Sequence, residues 1–131
     1  MSPQLELPVD NNLEDWRKLN FSNPKIKIRL GTLFSGIGAI EHALERLKIN
    51  YEKVFAGDID KSVKESYFAN YKIDKKRWHD DVTSFKAKKY KYKVDLIVGG
   101  SPCQSFSMVG HRAGLEDTRG TLFYDFSRVI K

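Results

Sequence analysis

Residues Gly99 to Ser107 read GGSPCQSFS and hold the chain's only cysteine, Cys103, directly behind Pro102. A thiol that follows proline at the end of the apolar run VDLIV sits on a stiffened, outward loop, where a nucleophile meets its substrate. Burial as a small apolar side chain is the commoner fate of a lone cysteine. Here the flanks GGSP and QSFS are polar and turn-forming and give Cys103 no apolar period to join, which favours the nucleophile. Other chemically useful groups stand at comparable places. FSGIGA supplies Gly36 and Gly38, which let backbone amides approach a ligand at a helix N-terminus. Glu41 occupies the position of the third glycine of the dinucleotide fingerprint, so its charge disfavours a pyrophosphate and leaves open a ligand with an amino acid moiety. In GDID, Asp58 lies twenty residues beyond Gly38, the spacing at which a carboxylate meets ribose hydroxyls. Asp60 reads instead as the cap of a helix starting at Lys61. HDDVTSF sets Asp80 and Asp81 before Val82, where a carboxylate either accepts from an exocyclic amine or closes a simple turn.

These groups need elements to hold them, and the hydrophobic pattern provides them. KIKIRLGTLF alternates and then turns apolar, as a strand entering a sheet does. IEHALERL follows the glycine turn with Ile40, Ala43, Leu44 and Leu47 at helical spacing. The order repeats: YEKVFAGD predicts a second strand, and KSVKESYFANY a second helix with Val63, Tyr67 and Phe68 on one face. A lysine-rich connection leads to KVDLIVGG, read as a buried central strand. After a loop of about twenty residues, TLFYDFSRVI starts another helix. Alternating strands and helices of these lengths predict a parallel α/β sheet with right-handed crossovers, whose ligands sit beyond the carboxyl ends of the strands. Residues 1–25 read as a polar arm with one short helix around Leu13 to Leu19, anchored by Trp16. Residues 26–131 form the folded part.

Composition narrows the classes. The chain of 131 residues has 23 basic and 17 acidic residues, net charge +6, which suits a polyanionic partner without requiring one. One cysteine excludes an intramolecular disulfide, and the Cys/His spacing offers no zinc site or other metal site. A reducing, cytoplasmic compartment follows, with neither a signal peptide nor a membrane-crossing run to contradict it. His42, His79 and His111 share no metal spacing; of these only His111 falls near the thiol. FKAKKYKYK carries five lysines in eight residues and reads as a solvated connection, because it enters strand four at the edge of the sheet away from Cys103.

FSGIGAIE, GDID, HDDVTSF and GGSPCQSFS followed by GHRAGLEDTRGTLFYDF resemble, in order and spacing, the first half of the catalytic domain of the C5 cytosine DNA methyltransferases. The resemblance runs from about Ile28 to Lys131. It implies a Rossmann-like fold dependent on S-adenosylmethionine, here with the first four strands and their helices of a seven-stranded sheet. It implies that Phe34, Ser35, Gly36, Ile37 and Gly38 cradle that cofactor, with Gly100 and Pro102 beside them. Asp58 then holds the ribose, Ile59 packs on the adenine, Asp81 and Val82 meet its edge, and Leu122 lines the same site. Pro102 and Cys103 match the catalytic pair. The loop from Ser105 to Arg119 matches a mobile segment that closes over duplex DNA, and Gln104 just before it, with Ser105, Ser107, His111, Arg112 and Arg119 within it, would be the DNA-facing residues. S-adenosylhomocysteine would be the product, and the setting bacterial, DNA-associated and of the restriction-modification type.

The resemblance also has gaps. The strand carrying a Glu-Asn-Val motif, the target recognition domain and the closing C-terminal motifs do not occur in this sequence. The expected partner is therefore the missing half of the enzyme, either in the same chain or as a second subunit, and this chain alone is expected to be inactive. Two other readings stand beside it: an RNA cytosine-5 methyltransferase, since thiol addition is indifferent to the sugar, and a non-catalytic regulatory or binding module of the same fold.

Overall fold

The computed structural model describes residue 23, residues 25–102 and residues 118–131, the last span with side chains from residue 122 onward. The arm helix around Leu13, with Trp16, lies outside the described residues, as do Cys103, Gln104, Ser105, Ser107, His111 and Arg112.

Strand β1 spans Ile28–Leu33, helix α1 Ala39–Arg46, β2 Tyr51–Gly57, α2 Lys61–Asn70, β3 Trp78–His79, β4 Leu96–Gly99 and α3 Thr118–Ile130. All pairings are parallel, in the order β3-β2-β1-β4. The strand that begins at Lys25 by its alternation starts only at Ile28, the residues before it forming a turn. VDLIV contributes β4, but as the outer strand of the four, with Leu96 37% exposed. Chain order reverses between β1 and β4, and that reversal opens a crevice at their carboxyl ends.

The alternation of β1 and β2 feeds two separate cores. Leu33 and Phe55 face Phe85 and Val129, with Phe126 packed alongside. Ala56 faces Tyr67, Tyr71 and Trp78 across the other side of the sheet. Gly31 sits beneath the ring of Phe55, and a Cβ there would run into that ring. The close approach is what lets a phenylalanine of β2 lie across β1 toward Phe85, whose ring centroid is 4.8 Å from its own.

Helix α1 departs from its hydrophobic reading. Leu44 is buried, yet Ala43 and Leu47 are exposed and Glu41 is 1% exposed. Its N-cap is Gly38, left-handed at φ 88°, beneath the Tyr71 ring, whose hydroxyl donates to the Gly38 carbonyl at 2.9 Å. A side chain at residue 38 would meet both a backbone penalty and that ring. Asp60 does cap α2, its Oδ1 accepting from the amides of Ser62 and Val63 at 2.7 and 3.1 Å.

FKAKKYKYK is more than a solvated connection. Its lysines are exposed, but Phe85 is buried, Ala87 and Tyr90 pack on the same cluster, and Phe85 and Tyr90 stack at 5.5 Å. The segment therefore roofs one face of the sheet with Phe85 and Tyr90 and leaves its charges, and Tyr92, in water.

Candidate functional site

A cleft opens at the carboxyl ends of three neighbouring strands. Leu33 and Phe34 enter it from β1, Gly57, Asp58 and Ile59 from β2, and His79 to Val82 from β3, while Leu122 of α3 closes the far wall. Six of the sequence-selected residues thus meet in one place: Phe34, Asp58, Ile59, Asp81, Val82 and Leu122. The described walls enclose about 50 Å³, against roughly 300 Å³ or more for a complete small-molecule site. They make one side of a larger pocket.

Ser35, Gly36, Ile37 and Gly38 form the turn at the cleft's rim rather than its lining. Phe34 takes a left-handed φ of 52°, unusual for a bulky residue and typical of a functional turn; its ring meets Phe126 edge-on at 6.2 Å. The Ser35 amide donates to the Gly57 carbonyl at 2.9 Å, and the Gly57 amide donates back to Ser35 Oγ at 2.9 Å. Ile37 is exposed. The turns after β1 and β2 are therefore joined at the same end of the sheet.

Each carboxylate in the cleft is fixed by its own neighbours. Asp58 accepts from the Gly36 amide at 3.0 Å through Oδ2 and from the Asp60 amide at 3.1 Å through Oδ1. Asp80 Oδ1 accepts from Lys64 Nζ at 2.9 Å and Trp78 Nε1 at 3.0 Å, and the Lys64 bond holds its carboxyl below the usual range. Asp81 Oδ1 accepts from the Thr83 amide and hydroxyl at 2.8 and 2.7 Å. It thereby closes the 3-10 turn Val82–Ser84, so the turn reading of HDDVTSF holds for that oxygen. The second oxygens of Asp80 and Asp81 have no partner among the described residues. Ile59 stands 77% exposed at its mouth, an apolar surface next to these carboxylates.

His79 belongs to this site although its sequence position gave no sign of it. Its Nε2 lies 2.8 Å from the Tyr90 hydroxyl, and its ring meets Phe85 edge-on at 4.6 Å. Burial pushes its pKa below the ordinary imidazole value, helped by Lys89. Only the pairing of β3 with β2 brings it to the cleft, and two residues of strand are too short for a periodic signal.

On the other side of β1, Pro102 follows β4 by three residues and is half-buried. Leu33 and Gly99 are register partners, so the turns that follow them leave the sheet side by side. Gly100 has open space around it. The segment that carries position 103 therefore starts at the crevice where strand order reverses. The Arg119 backbone belongs to α3. Among the described residues no group of His, Cys, Asp and Glu forms a metal site, and no helix is long and apolar enough to cross a membrane.

The family model described as C-5 cytosine-specific DNA methylase matches residues 28–131. The orphan methyltransferase M.SPRI of Bacillus phage SPR is 48% identical over 105 residues, covering 80% of this chain and 24% of its own length. The type II methyltransferase M.BanI of Aneurinibacillus aneurinilyticus is 37% identical over 110 residues, covering 81% of this chain and 24% of its own. Among solved structures, the S. pombe Dnmt2 methyltransferase superposes with a TM-score of 0.60 at 30% identity, over 79% of this chain and 31% of that one. The chain spans about a quarter of the length of these curated relatives.

Proposed function

The chain belongs to the C-5 cytosine-specific DNA methylase family, and from that premise we propose that it is the cofactor-binding and nucleophile-bearing part of a DNA cytosine-5 methyltransferase of the restriction-modification kind. The observation that carries the reading is the cleft itself, where residues from three strand ends and α3 converge, six of them picked out by the resemblance. The cofactor is S-adenosylmethionine, and the cleft suits it. Asp58 is pre-oriented for ribose hydroxyls by two backbone amides, Ile59 offers an apolar face for a base, and the unengaged oxygens of Asp80 and Asp81 suit an exocyclic amine. The turn from Phe34 to Gly38 then holds the amino acid end. When bound, S-adenosylmethionine supplies a methyl group on a positively charged sulfur.

Cys103 does the covalent work. A cytosine ring is too weak a nucleophile at C5 to accept a methyl unaided. The Cys103 thiolate would add to C6, forming a carbon–sulfur bond and moving the C5–C6 π electrons to C5, which would take the methyl as its bond to the donor sulfur breaks and a neutral thioether leaves. Loss of the C5 proton to a base breaks the bond to sulfur and restores both the ring and the thiolate. The reacting base must leave the duplex, at a cost of a few kcal/mol. The thiol must also ionise, since a free cysteine with pKa near ~8.5 is mostly neutral at pH 7.

The remaining strands, the acid that meets the cytosine ring and the DNA-reading surface come from the other half of the enzyme, in the same chain or as a second subunit. Leu96 of β4 and Phe123 and Ile130 of α3 are exposed apolar side chains available for that half to cover. The test is a duplex carrying 5-fluorocytosine, whose fluorine blocks the elimination step. With cofactor and the complete protein it should yield a covalent complex that survives denaturant and disappears in Cys103→Ser. Methyl transfer by Cys103→Ser, by the 131-residue chain alone, or to tRNA in preference to DNA would refute the proposal in its respective part.

A further inference from the structure

We propose that Glu41, which does not line the cleft, is a positioning residue for the cofactor turn and acts on it through Thr32 and Ser35; the inference rests on the cofactor reading above. Glu41 is 1% exposed on α1, where an apolar side chain would fit the helical pattern at far lower desolvation cost. Its Oε1 accepts from Tyr67 OH at 2.6 Å and from Thr32 Oγ1 at 3.0 Å. The buried Oε2 has no partner among the described residues.

The polarity of the chain explains what the carboxylate does. A hydroxyl has one proton. Thr32 gives its proton to Glu41, so in the 2.8 Å contact with Ser35 it can only accept. Ser35 must therefore donate to Thr32, which leaves Ser35 Oγ free to accept the Gly57 amide at 2.9 Å. With the Ser35 amide on the Gly57 carbonyl, both backbone groups of Gly57 are held by one residue of the turn after β1. Gly57 precedes Asp58, and Asp58 returns a bond to Gly36. The acceptor Oε1 of Glu41 thus sets every donor in the line and, at its far end, the spacing between the two turns that grip the ligand. Take away the acceptor or the relay and Thr32 or Ser35 is free to turn its proton elsewhere.

The experiment uses the complete protein with Thr32→Val, which keeps the volume but breaks the relay, and Thr32→Ser, which restores the hydroxyl. Thr32→Val should weaken S-adenosylhomocysteine binding by calorimetry about tenfold, the effect of roughly one hydrogen bond. It should raise KM for the methyl donor with kcat at saturation little changed, and it should speed hydrogen exchange at the Gly57 amide. Thr32→Ser should recover all three. If Thr32→Val fails to fold, the smaller Thr32→Ala makes the same cut. Wild-type binding with unaltered binding and Gly57 exchange in the variant overturns this inference alone, as does a fall in kcat with KM unmoved. A wild-type protein that binds no S-adenosylhomocysteine overturns the cofactor reading and this inference with it.

Discussion

The carboxylate of Asp58 accepts a hydrogen bond from the Gly36 amide at 3.0 Å, which ties the turn after β2 to the turn after β1 before any ligand arrives. Asp58→Ala removes this tie and, on the proposed cofactor reading, a ribose acceptor together. Two charge-assisted hydrogen bonds at roughly 1.5 kcal/mol each predict a loss of S-adenosylhomocysteine affinity of about a hundredfold. Asp58→Asn retains one acceptor oxygen and should fall between the two. Calorimetric titration of the complete protein measures both.

Arg128 forks from α3 onto the turn that forms the β3 wall of the cleft. Its guanidinium donates to the carbonyls of Phe85 at 3.0 Å and Val82 at 2.9 Å, with Thr83 and Asp125 at 3.4 Å. Arg128→Met keeps much of the stem and strands those carbonyls, for an expected loss of about 1–2 kcal/mol given the half-exposed side chain. Arg128→Lys cannot reach two carbonyls in a fork and should recover less than half. Urea denaturation midpoints decide the ranking.

Gly31→Ala drives a methyl group into the Phe55 ring, which is 1% exposed and closed in by Phe85 and Tyr90. Overpacking of this kind costs about 1–3 kcal/mol. Adding Phe55→Leu to Gly31→Ala should return part of that loss, although Phe55→Leu alone destabilises the wild type. A double-mutant cycle on melting temperature reads the coupling.

Acidification should act through His79. Its folded pKa lies below that of the unfolded chain because burial and Lys89 oppose the charge. The unfolded state therefore binds more protons, and stability falls as pH drops through the ordinary imidazole range near ~6.5. His79→Phe should flatten the stability profile between about pH 7 and 5. An unchanged slope in that variant would place the titration elsewhere.

A second acid limb belongs to Asp95. Its Oδ1 meets Arg29 at 2.6 Å while its Oδ2 accepts from the Arg29 amide and Nε, and these bonds lower its pKa from 3.8 to about 2. The stability it adds is complete above its ordinary value and fades as pH falls from 3.8 towards about 2. Asp95→Asn should remove this limb and leave that of His79 in place. Circular dichroism melts across the two pH windows separate them.

Much of the site was legible because its chemistry is local in sequence. GDID specifies both an α2 cap and a strand-end carboxylate within three residues, and FSGIGA specifies its own left-handed turn. Glu41 was misread for the opposite reason. At the third-glycine position its charge reads as repelling a pyrophosphate, yet it points into the core, because its partners Thr32 and Tyr67 come from β1 and from a helix 26 residues away. The same non-locality hid His79, whose surroundings come from residues 55, 85 and 90. It also explains α1, where the buried stripe is set by a polar network rather than by Ala43 and Leu47. Periodicity registers which residues are apolar, not which polar ones have found partners.

The strand order bears on how such a chain comes into being. Arg29 and its clasp Asp95 are 66 residues apart, so during synthesis β1 can pair with β2 early but must wait for Leu96 to leave the ribosome before its other flank is filled. Long-range parallel pairing of this sort is intrinsically slow. The nascent chain therefore passes through a stage in which an apolar strand faces water, and its yield in a cell should depend on chaperone capacity during that interval.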